Sequence, residues 1–122
     1  MLYAIDSDQK IIKIPHRREF DRWRKRLSDL EYKNIVDELN NRIEGTEIQT
    51  SSWMPGSNWS GTIFEPIYEK ACEFSEIESA LFFGLIVWVV FMDRPEWWSF
   101  GRYEKNGIPI NGITYFQITP KR

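Results

Sequence analysis

The sequence predicts an α+β fold: a single domain over residues 1–122, with an antiparallel sheet from N- and C-terminal hairpins packed on about four helices, one of them long and apolar. Three observations predict it. Short β-patterned runs flank turn residues at both ends of the chain. Three Ser/Thr-x-x-Glu boxes, the signature of helix starts, lie between them. An uncharged run, Ala80–Met92, is halted by Asp93-Arg94-Pro95. That run is shorter than the roughly 20 residues a membrane-spanning helix needs, so it reads as the buried centre of the domain.

At the N-terminus, Leu2–Ile5 and Ile11–Ile14 read as strands around the turn Asp6–Lys10. Pro15 closes this hairpin. A basic helix follows, about Arg17 to Leu27, with Phe20, Trp23 and Leu27 on one face. Ser28-Asp29-Leu30-Glu31 is the first capping box. It opens a helix whose stripe is Tyr32, Ile35, Val36, Leu39 and Ile43 and whose end is marked by Gly45. Thr46–Ser52 reads as a short polar strand.

Residues Trp53–Gly61 hold two Gly, a Pro, an Asn and two Ser, and read as a loop. Thr62–Glu65 is a second box opening a short helix to about Cys72, and Ser75–Glu78 is a third, leading into the apolar run. Ile86–Phe91 also has the composition of a central strand. Length and the box favour one helix of about 18 residues ending before Pro95. Trp97–Tyr103 and Ile113–Ile118 are then strands, with Asn106-Gly107 and Asn111-Gly112 as candidate type I′ turns.

Composition narrows the function classes. Aromatics form 16% of the chain, including six Trp, which favours a large core or an adhesive surface over disorder. The lone Cys72 permits no internal disulfide, and residues 1–20 contain no signal-peptide pattern, so a cytoplasmic location is expected. One His and one Cys nearly close the zinc routes, and no metal or cofactor is expected. A Cys72–His16 dyad lacks a third member, and Cys72 reads as a small packed apolar residue. Nucleophile-elbow, Walker and dinucleotide motifs do not occur.

Three groups remain as binding candidates. The first is the basic helix. Seven Lys or Arg against two acids make Lys13–Arg26 a +5 window, leaving −7 on the rest of the chain. Arg17, Arg18, Arg22, Arg24 and Arg26 suit phosphate, though Trp23 belongs to the apolar stripe, and a solvated face against the protein's own acidic helices is the favoured reading. The second is aromatic. Adjacent Trp97 and Trp98 point to opposite sheet faces, so one of them must leave the core. Trp98, Phe100 and Arg102 share one face and, with Trp53 and Trp59, form the expected partner-binding set. The third group is the acidic stretches 29–47 and 65–78, which suit solubility or a basic partner.

The reading that follows is a small non-catalytic binding protein of inhibitor or immunity type, engaging a protein partner or a second copy of itself. A nucleic-acid-associated protein using the basic helix is the first alternative. A small hydrolase or transferase with a site near the 53–62 loop is the second.

Overall fold

The computed structural model describes residues 1–50, 59, 61–109 and 112–119. Strands β1 (Leu2–Ala4) and β2 (Gln9–Ile11) form the first hairpin, turned at Asp8 with φ 55°. Helix α1 (Arg17–Arg24) is shorter than its sequence pattern, and Leu27 still packs in the core. Helix α2 (Asp29–Ile43) starts on the complete Ser28–Glu31 box, with both reciprocal bonds formed, and Gly45 beyond its end takes φ 77°. Strand β3 (Ile48–Thr50) follows. After the 53–61 segment, which lies mostly outside the described residues, comes a π-helical turn (Ile67–Ala71).

Helix α3 spans Glu76–Asp93, so residues 85–92 are helix throughout. Its interior positions Phe82, Phe83, Leu85, Ile86, Val87, Trp88, Val90 and Phe91 are all buried. Ser75 caps it by accepting from the Glu78 amide at 3.2 Å. Among the described residues, no helix is long and apolar enough to cross a membrane.

Strands β4 (Trp98–Gly101) and β7 (Thr114–Gln117) pair antiparallel, with β3 beyond β7, giving the order β2-β1-β4-β7-β3. The sheet is mixed, which corrects the expected purely antiparallel one. Strand β1 lies parallel to β4, with Leu2 opposite Trp98 and the Trp98 amide donating to the Met1 carbonyl at 2.8 Å. The cause lies in the two strands of the hairpin. Leu2 is fully buried whereas Gln9 and Lys10 are exposed, so the apolar strand takes the interior position and β2 takes the edge.

Asn106-Gly107 makes a tight turn, with φ 55° and 78°, but it closes a separate small hairpin, β5 (Glu104–Lys105) and β6 (Ile108–Pro109). Asn111 lies outside the described residues. The elements form a single small α+β domain with one core. In it α3 is packed between the sheet on one side and α1, α2 and the π turn on the other.

Candidate interaction face

The adjacent Trp residues do split between the sheet faces, but the face expected to meet a partner is the covered one. Trp98 is 1% exposed and packs edge-on against Phe91 of α3, with ring centroids 4.8 Å apart. Phe100 packs on Trp88 at 4.7 Å, and Tyr115 stacks on Phe91 at 4.0 Å. Trp98 and Phe100 therefore belong to the core, which removes Trp98 from any surface. Alternation along a strand defines two faces; the helix decides which is buried. Trp97 takes the other face, half-buried beside Tyr3 and under the Lys10 ammonium. Arg102 is exposed just past β4. Trp59 is half-buried against Phe64 and Phe83, and Trp53 lies outside the described residues.

The outer sheet face also carries small buried hydroxyls. Thr50 and Thr114 are register partners, Ser99 lies on the strand beside Thr114, and all three are buried. Among the described residues the Ser99 and Thr114 hydroxyls find no hydrogen-bond partner. Tyr103 folds back over Gly101, where a Cβ would come within 2.9 Å of its ring.

The basic helix is largely neutralised by the protein itself. Arg17 pairs with Asp21, Arg24 with Asp29 at 2.9 Å, Arg22 with Glu78 at 3.7 Å, and Arg26 with Glu73 at 3.2 Å. Arg26 also donates to the Ala71 carbonyl, and Arg24 lies 4.1 Å over the Tyr32 ring. Arg18 remains exposed on this helix, and Trp23 is core. Four of the five arginines named for phosphate thus have acidic partners, Arg17 within α1 and Arg22, Arg24 and Arg26 on neighbouring segments.

Catalytic groups are equally constrained. Cys72 is buried, and burial pushes its thiol up to about 11, so at neutral pH it is a packed thiol rather than a nucleophile. His16 is exposed at the start of α1 in a left-handed conformation, φ 51°. Among the described residues no cluster of three His, Cys, Asp or Glu is arranged to hold a metal. At the second predicted box, Glu65 reaches the Gly61 amide at 2.7 Å, and Thr62 donates to the Trp59 carbonyl. These bonds order the end of the loop. Most of the 53–62 loop, to which the hydrolase reading belongs, is outside the described residues.

One polar site had no counterpart in the sequence reading. Arg94, there only a helix stop, is buried with 5% of its side chain exposed. It donates in a fork to both oxygens of Glu96 (2.8 and 2.9 Å), and also to Asn40 Oδ1 and Glu44 Oε2 at 2.8 Å each. The Met1 nitrogen donates to the Arg94 and Glu96 carbonyls. The Arg94 guanidinium holds the Glu96 carboxyl down at about 2. This network ties the end of α2, the end of α3 and the start of β4 together. Its partners lie 54 and 50 residues apart in sequence, beyond the reach of a local motif.

The surface that stands out is on α3 itself. At 1.5 Å per residue its 18 residues span about 27 Å, while the four-residue strands β4 and β7 span about 13 Å. Trp88 and Phe91 take up the sheet. One to three turns earlier on that side of the helix come Ile77, Ala80, Leu81 and Gly84, of which Ile77, Ala80 and Leu81 are exposed. Ile77 is 85% exposed and Leu81 40%. Phe74, just before the helix, is 64% exposed and leans edge-on against Tyr68.

Glu73 and Phe74 both sit at positive φ, 51° and 67°, directly after the π turn. Two consecutive non-glycine residues there cost about 1 kcal/mol or more each, and strained backbone of this kind clusters at functional sites. The sequence signal for this face was present. Ile77 and Leu81 fall on one helical face in the uncharged run and its cap, a pattern that a helix buried all round shares. Comparison with family models, with curated proteins and with solved structures found no match.

Proposed function

We propose that this protein is a small non-catalytic binding protein that engages a macromolecular partner through the overhanging face of α3, occluding or recruiting it in the manner of an inhibitor or immunity-type protein. The observation that carries the reading is the pair Ile77 and Leu81, exposed one turn apart on α3, with exposed Phe74 just before the helix. Contiguous exposed apolar surface of this kind marks interaction sites. The Glu73–Phe74 pair at positive φ, just before this face, adds to it. The packing of Cys72 and the engagement of the α1 arginines weigh against a thiol enzyme and a phosphate-binding groove.

The test is affinity capture by the intact protein and by the Ile77→Asp/Leu81→Glu variant, with thermal unfolding as the folding control. The variant should melt like the parent, because both side chains are at the surface, and should lose the captured partner. Undiminished capture by the folded variant would refute the assignment.

A further inference from the structure

We draw no further inference here: the strongest candidate, the exposed apolar patch of Phe74, Ile77 and Leu81 around the start of α3, belongs to the site already described, and nothing in the structure shows what covers it.

Discussion

Replacing Glu96 by Gln isolates the buried Arg94 network while keeping its shape. The variant leaves Arg94, 5% exposed, with one charged partner, Glu44, whose side chain is 74% exposed and well screened. The folded protein holds the Glu96 carboxyl at about 2 against an ordinary 4.5. Linkage converts that displacement to about 3 kcal/mol as an upper figure. Glu96 keeps 29% of its side chain in water, so screening reduces the expected loss to about 1–2 kcal/mol. A carboxyl depressed in the folded state contributes its full stability above its unfolded value and loses it as pH falls toward the folded one. The difference between parent and Gln variant should therefore be constant from pH 7 to about 5, shrink below 4.5 and vanish near pH 2. Urea unfolding of both proteins across that range, with Glu44→Gln as the exposed control, measures it. A penalty below about 0.5 kcal/mol at pH 7, or one that does not change between pH 5 and 2, would refute the assignment of Glu96 as the principal partner of Arg94.

Other expectations follow from single sites. The Cys72 thiol should react with a disulfide reagent at pH 8 only as fast as the protein opens. Because burial raises it from 9.0 to about 11, the parent should lose stability relative to Cys72→Ala as pH rises through that interval, and equal slopes would contradict the buried assignment. Ser99→Ala and Thr114→Val remove buried hydroxyls that have no partner, so denaturant midpoints should stay level or rise, by up to about 1 kcal/mol, where a satisfied hydroxyl would cost that much. Ser28→Ala should cost about 1 kcal/mol by loss of a cap, and Glu31→Ala should cost more than Glu78→Ala in thermal melts, since only Glu31 closes its box and also meets Lys70.

The local rules carried much of the fold into the sequence. Ser28 and Glu31 announced α2, Ser75 announced α3, and the Trp97-Trp98 pair announced a strand with two unlike faces. What failed depended on distance or on competition between partners. Glu78 resembles a capping residue in sequence, but in space it lies beside Arg22. Asn106-Gly107 has the right turn chemistry, yet it closes β5 onto β6, so β4 reaches β7 through a longer excursion. The parallel β1–β4 contact joins residues 96 positions apart, and no pattern within either segment encodes direction. For the candidate site, Trp98 and Phe100 carry aromatic side chains, which favour interfaces and cores alike. Only the position of α3 across the sheet separates the two uses.

The same mismatch of lengths explains why the α3 face calls for a function. A helix about twice as long as the strands beneath it must present part of its sheet-side stripe to solvent. Folding alone favours polar residues or alanine there. Glu76 and Glu78 in the same turn show that such residues are accepted, and the Ser75 cap needs nothing apolar at position 77. Isoleucine is a poorer helix former than glutamate or lysine, and at 85% exposure it recovers little by burial. Leu81, one turn on, repeats the choice, and Phe74 repeats it from a strained backbone position. Three large apolar side chains held in water around the start of α3, one of them at a conformational cost, lower the solubility of the monomer and add little to its stability. On the proposed reading, burial against a partner surface is the state in which all three contribute.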